Sequence, residues 1–177
     1  PFYAFNVWSS SAKEITLKFK YPGKYKHRYI PKIKSNGVWS VADSLNFQYD
    51  ENFSSLKLQI NAIAKTVSGQ ELHTSSIVYS WVDQLIEVKE SFVRSKTIGK
   101  TRLKRPCRVL DNYKGTAKNK PVLVLLTRQH PPEVTGYFAF QAFLSTILEE
   151  NKLSTSFLEH YRILAFPLMN PDGVDLG

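Results

Sequence analysis

Cysteine is almost absent from this chain. One residue in 177, Cys107, excludes an intramolecular disulfide, so no covalent framework holds the fold. Long apolar runs are missing as well. Nothing approaches the roughly 20 unbroken apolar residues that a membrane helix needs, and no membrane partner is expected. The chain opens on Pro1 without an initiating Met, and Lys13, Glu14 and Lys18 arrive too early for a signal peptide. A trimmed chain is therefore expected, which favours an exported (periplasmic or secreted) protein over a cytoplasmic one. Acidic residues are scarce beside basic ones, 15 against 24, for a net charge of +9. The excess gathers in residues 18–34, with seven Lys or Arg plus His27, and in residues 94–108, with seven more. Neither stretch carries a zinc-finger, helix-turn-helix or RNA-binding motif, so a solvated basic face is the simpler reading and no nucleic acid is expected as partner. Repeats and low-complexity tracts are lacking too.

What is present divides into two kinds of pattern. The first eighty residues alternate with period two: Tyr3, Phe5 and Val7; Ile15, Leu17 and Phe19; Leu45, Phe47 and Tyr49; Leu56, Leu58, Ile60 and Ala62. Polar residues stand between them, which is how strands with one buried and one wet face read. Turn residues separate the runs, among them Tyr21-Pro22-Gly23, Ser35-Asn36-Gly37, residues 50–52 and Ser68-Gly69. Short strands at this spacing predict an antiparallel β-sandwich. Ile77, Trp81, Leu85 and Val88 then fall at helical spacing, predicting a connector helix over residues 75–88. A first domain of residues 1–88 follows, with the boundary near residues 87–91.

Residues 89–177 are of another kind. Pro121-Val-Leu-Val-Leu-Leu126 is a continuous apolar run, expected as a strand covered on both faces in a parallel or mixed sheet. Residues 133–150 read as a helix, and residues 161–168 as a second buried strand, which makes a βαβ unit. Residues 92–96 and 107–112 predict an antiparallel hairpin at the sheet edge. The fold class is thus α+β with two domains, a sandwich followed by a partial α/β domain with a mixed sheet.

The chemistry concentrates in Thr127-Arg-Gln-His-Pro-Pro-Glu-Val-Thr-Gly136. His130 and Glu133 fall just past the carboxyl end of a buried strand, where α/β sheets place ligand sites. Pro131 and Pro132 fix the turn and Glu133 opens the helix. A spacing of three brings an imidazole and a carboxylate together, a donor set that suits Zn²⁺. An isolated His-x-x-Glu is a weak signal, because the helix dipole alone explains a Glu in a first turn. Its context adds weight: the next strand runs into Phe166-Pro-Leu-Met-Asn-Pro-Asp-Gly173. Asn-Pro-Asp-Gly is turn chemistry and can simply end a strand, yet two neighbouring strand-end loops face one crevice.

Together these two segments resemble the M14 family of zinc metallocarboxypeptidases. The wording Arg-Gln-His-Pro-Pro-Glu-Val-Thr-Gly is most similar to the branch related to cytosolic carboxypeptidases, whose members carry a β-sandwich ahead of the catalytic domain; residues 2–8 resemble its aromatic first strand. The resemblance implies a catalytic domain of the phosphorylase/hydrolase-like carboxypeptidase type, with His130 and Glu133 as the first two ligands of Zn²⁺. It implies a third ligand His, a general-base Glu, and a clamp for the substrate carboxylate, all following the Asn-Pro-Asp-Gly and so expected beyond Gly177. Residues 1–177 alone are then expected to be inactive. Arg128, Asn170 and Asp172 are candidate substrate-binding residues. His160 precedes the second strand, at its opposite end, and His27 and His73 read as surface residues of the sandwich. The expected activity is hydrolysis at the C-terminus of a peptide or protein. An amidase or deacylase resembling the aspartoacylase group shares the His-x-x-Glu, and a non-catalytic binding protein is the third alternative.

Overall fold

The computed structural model describes residues 3–23, 26–50, 53–89, 92–115 and 118–177. Phe2, two residues of the turn at 50–52 and residues 90–91 of the expected boundary lie outside that set. Contacts divide the chain into two compact units, Pro1–Leu72 and His73–Gly177.

In the first unit, seven described strands pair only with antiparallel neighbours. They are β1 (Ala4–Val7), β2 (Lys13–Phe19), β3 (Lys32–Ser35), β4 (Val38–Val41), β5 (Phe47–Tyr49), β6 (Ser54–Ile60) and β7 (Lys65–Ser68). One sheet runs β1-β7-β3-β4 and the other β2-β6-β5. Their inward positions, Phe19, Phe47, Leu56, Leu58, Ile60 and Val67, form one core. Period-two alternation thus does what it is expected to do: Leu56, Leu58 and Ile60 are buried while Lys57 and Gln59 face water. The turn at Asn36-Gly37 has both residues at positive φ, 50° and 82°, the conformation that closes a two-residue hairpin between β3 and β4. Leu45 departs from its expected strand. It lies in a one-turn 3-10 helix, Ser44–Asn46, capped by Asp43, and is 86% exposed. His27 is not a surface residue either. Its ring stands 5.1 Å from that of Phe19 and 5.0 Å from that of Phe47, and Nδ1 is 3.0 Å from the Tyr21 hydroxyl.

The second unit opens with α1 (Ser75–Lys89), followed by β8 (Val93–Lys100), β9 (Pro106–Asn112), β10 (Val122–Leu126), α2 (Val134–Ile147), α3 (Lys152–His160), β11 (Arg162–Phe166) and α4 (Pro171–Leu176). The sheet order is β10-β11-β9-β8, with β10 and β11 parallel and the other pairs antiparallel. This is the expected mixed sheet with its edge hairpin. Two elements escape the sequence reading: α3 shares the crossover with α2, and Asn-Pro-Asp-Gly starts a helix.

Helix α1 differs from expectation twice. Its Val78 and Val82 are fully buried in the second unit's core beside Tyr137, Leu144 and Ile163, so it packs there and is not the tail of the sandwich. The division at residues 72–73 therefore lies ahead of the one expected at residues 87–91 by the length of this helix. Ile77 and Val88, two members of the expected stripe, are 43% and 71% exposed. Two apolar stripes overlap on this helix, and the one carrying compact valines faces the core. Strand β10 is also only half covered. Leu123 and Leu125 pack on the core while Val122, Val124 and Leu126 are about half exposed, because β10 is the edge strand and the described helices pack on one face.

Candidate metal centre

β10 ends at Leu126, and the backbone of Thr127 keeps the parallel pairing for one more step, its N–H donating to Phe166 O at 3.2 Å. Arg128 then takes φ +57°, one of three described non-glycine residues at positive φ. That conformation costs an L-residue about 1–2 kcal/mol and persists only where the surroundings impose it. The surroundings here are the second motif. Met169 N–H donates to Thr127 O at 3.1 Å, Asn170 N–H to Arg128 O at 3.1 Å, and Asn170 Nδ2 to Gln129 O at 3.4 Å. Residues forty positions apart thereby hold one another's backbone.

The chain turns at Pro131-Pro132. Glu133 N–H donates to His130 O at 3.2 Å, and Glu133 becomes the N-cap residue of α2 without using its side chain as the cap. The carboxylate is left free to meet the imidazole: His130 Nδ1 and Glu133 Oε1 lie 2.9 Å apart. Both side chains are exposed, at 74% and 60%. Two donors on one tetrahedral Zn²⁺, at about 2.0–2.2 Å each, stand roughly 3.3 Å from one another. The 2.9 Å contact is a hydrogen bond from Nδ1–H to the carboxylate, so an ion would take that proton's place and part the two donors slightly, on the solvent side of the turn. These two residues fit zinc as two of its ligands. No group of three His, Cys, Asp or Glu among the described residues gathers to complete a set.

The other expected site residues fall elsewhere. Asn170 is the N-cap of α4, its Oδ1 accepting from Gly173 N–H at 2.9 Å. Both ends of its amide are engaged within the two loops, so its part is to brace the His130 turn. Asp172 faces the β8–β9 connection: Oδ1 accepts from Thr101 Oγ1 at 2.7 Å and Arg105 Nη1 at 3.0 Å, and Oδ2 from Leu103 N–H at 3.2 Å. Burial pushes its carboxyl up, but those hydrogen bonds and the guanidinium outweigh it and hold the group below the usual carboxylate value. A carboxylate so occupied is structural. Arg128 is only 4% exposed; its guanidinium carbon sits 5.9 Å from the Tyr137 ring centroid, turned inward and away from the crevice. His160 ends α3 at the opposite end of β11, with Nδ1 2.7 Å from Ser156 O. His73 lies in the second unit, its ring 5.0 Å from that of Phe138. A cleft of about 610 Å³, lined by Arg94, Tyr113, Lys114 and Glu159 among others, also opens at that far end.

Two features went unread in the sequence. Tyr137, fully buried one turn after Glu133, supports Arg128, and its i+4 spacing was the available signal. The Arg105–Asp175–Ser75 cluster had none, because its members are scattered over a hundred positions.

Comparison with known proteins decides the family. The zinc carboxypeptidase family model, of the M14 peptidases, matches residues 78–177, more than half of the chain. The chain belongs to the zinc carboxypeptidase family. Comparison with curated proteins gives no match. Among solved structures, a metallo-carboxypeptidase from Burkholderia cenocepacia superposes with TM-score 0.81 at 13% identity, over 98% of this chain and 47% of that one. A metallo-carboxypeptidase from Pseudomonas aeruginosa, solved in complex with (2-guanidinoethylmercapto)succinic acid, gives 0.74 at 18% identity, over 98% and 47%. Thrombin-activatable fibrinolysis inhibitor gives 0.54 at 24%, over 60% and 27%. At these identities the likeness is one of fold. The chain spans just under half the length of the two bacterial metallo-carboxypeptidase structures.

Proposed function

We propose that His130 and Glu133 are two ligands of a catalytic Zn²⁺ in a metallocarboxypeptidase that releases C-terminal residues from peptides or proteins, in the branch related to cytosolic carboxypeptidases. The observation that carries the reading is the 2.9 Å approach of His130 Nδ1 to Glu133 Oε1 on a turn braced by Asn170. Zinc in such a site polarises a carbonyl and acidifies a bound water. This chain's residues would present a neutral imidazole and a carboxylate to the ion and keep their spacing fixed. The Pro-Pro turn and the Asn170 bonds hold that spacing before any ion arrives, so less ordering is required on binding. Substrates with a free terminal carboxylate fit the proposal, and the carboxylate-bearing ligand of the Pseudomonas aeruginosa relative is in keeping with it. The family match favours this over the amidase or deacylase reading.

Two measurements test it. Zn²⁺ affinity is expected to fall in both His130→Ala and Glu133→Gln by more than the roughly 10–100-fold that loss of an outer-shell partner costs, since each removes a ligand itself. The full-length enzyme is expected to cleave a peptide with a free C-terminal carboxylate and to leave its amidated twin intact, whereas residues 1–177 alone bind zinc weakly and cleave neither. Unchanged zinc affinity in both variants, or equal cleavage of the two peptides, sinks the reading.

A further inference from the structure

Arg128 combines three features that occur together at no other described residue. Its backbone is left-handed, the residue is only 4% exposed, and its Nε and Nη1 atoms are buried with no hydrogen-bond partner among the described residues. Two guanidinium nitrogens buried without a partner are expensive and are not kept for packing alone. Its guanidinium carbon lies 5.9 Å from the centroid of the Tyr137 ring. Tyr137 lies on α2, four positions after its N-cap residue Glu133. In the other direction, Arg128 is two residues from His130, and its carbonyl takes the Asn170 N–H that ties the motifs together.

We infer that Arg128 is a positioning residue: its guanidinium, laid on Tyr137, locks the turn that aims His130 and Glu133 at a common point. The inference rests on the metal-ligand reading of that pair. Burial rules out the alternative of direct contact with substrate, since so little of the side chain is accessible. Backbone geometry alone does not explain the residue, because glycine would adopt φ +57° without strain. A planar guanidinium stacks on a ring in a way that an ammonium does not, so lysine is a poor substitute.

Substitution in the full chain separates side chain from backbone. Arg128→Gly relieves the left-handed strain and deletes the cation. It is expected to weaken Zn²⁺ binding by about ten- to a hundredfold, the range seen when supports of metal ligands are removed, and to change the visible spectrum of the Co²⁺-substituted protein. Arg128→Lys, which keeps charge and folding competence, is expected to recover only part of that affinity. Arg128→Met with Tyr137→Leu should weaken binding no further than the worse single change, because the two act as one unit. Wild-type zinc affinity and an unaltered cobalt spectrum in both Arg128→Gly and Arg128→Lys would overturn the inference, as would strictly additive losses in the double variant. If His130→Ala also binds zinc as wild type does, the ligand reading itself has failed; if His130→Ala loses zinc and the Arg128 variants do not, the positioning role alone has.

Discussion

Gly173 stands where a methyl group has no room. A Cβ there would lie 2.7 Å from Pro131 Cγ and 2.7 Å from Asn170 Nδ2. One wall is the turn that carries His130, and the other is the amide that braces it. Gly173→Ala is therefore expected to cost about 1–3 kcal/mol, as overpacking does, and to loosen Zn²⁺ at His130 and Glu133. A denaturant midpoint together with a zinc titration checks both; an alanine variant with wild-type stability would mean that the two loops slide apart freely. At this scale the sequence is legible where partners are near in the chain. His130 and Glu133 are three apart, and their meeting follows from the Pro131-Pro132 turn between them. Asn170, Asp172 and Arg128 were placed in the crevice by proximity to the motifs, yet their partners are Gln129, Arg105 and Tyr137. Nothing local announces Arg105 as the partner of Asp172, sixty-seven positions away.

Helices and strands were readable in proportion to how much of their apolar surface is buried. β6, β10, α2 and β11 carry strong patterns and form where expected. β3, β4 and β7 do not, being only four residues each, with Lys32 and Lys34 in β3 and Lys65 opening β7; Lys32 meets Glu71 at 2.7 Å, and Lys34 lies over Trp39. Two arginines of the second basic stretch are likewise paired, Arg105 with Asp172 and Asp175 and Arg108 with Asp83. Helix α1 illustrates what periodicity leaves open, since both of its stripes satisfy the spacing rule and only the fold selects Val78 and Val82. Its start is fixed from the far end of the unit. Asp175 accepts from Ser75 N–H at 2.7 Å and from Ser75 Oγ at 2.6 Å, adding to the local cap in which Ile77 N–H donates to Thr74 Oγ1 at 3.4 Å. Asp175→Ala is expected to lower stability by about 1 kcal/mol, the usual worth of a cap, and to speed hydrogen exchange selectively in the first turn of α1. Exchange that accelerates evenly along the helix would show that the carboxylate does not hold its end.

Among the described residues the two units have cores with no buried residue in common. Each carries its own acid sensitivity. In the first unit, burial among Tyr3, Phe19, Tyr21 and Phe47 lowers the His27 pKa from its usual 6.5. The folded unit therefore binds the proton less well than the unfolded chain does. This part of its stability is complete above about pH 6.5 and drains away as pH falls toward the depressed folded value. In the second unit, burial opposes ionisation of Asp172 and Asp175. Hydrogen bonds from Thr101, Ser75 and Arg105 prevail and bring both carboxyls below the usual 3.8. Their contribution is intact above about pH 4 and is lost below it. Tryptophan makes the two readable apart, since Trp8 and Trp39 lie in the first unit and Trp81 in the second. With Trp81→Phe, fluorescence melts report the first unit, whose midpoint should drop between about pH 7 and pH 5. His27→Phe keeps a ring in the box and removes the proton, so it should flatten that slope. With Trp8→Phe and Trp39→Phe, melts report the second unit, and the paired Asp172→Asn and Asp175→Asn changes should flatten its fall below about pH 4. A His27→Phe variant whose slope matches the parent's would mean that the histidine exchanges protons as freely folded as unfolded, and that the aromatic box around it is open to water.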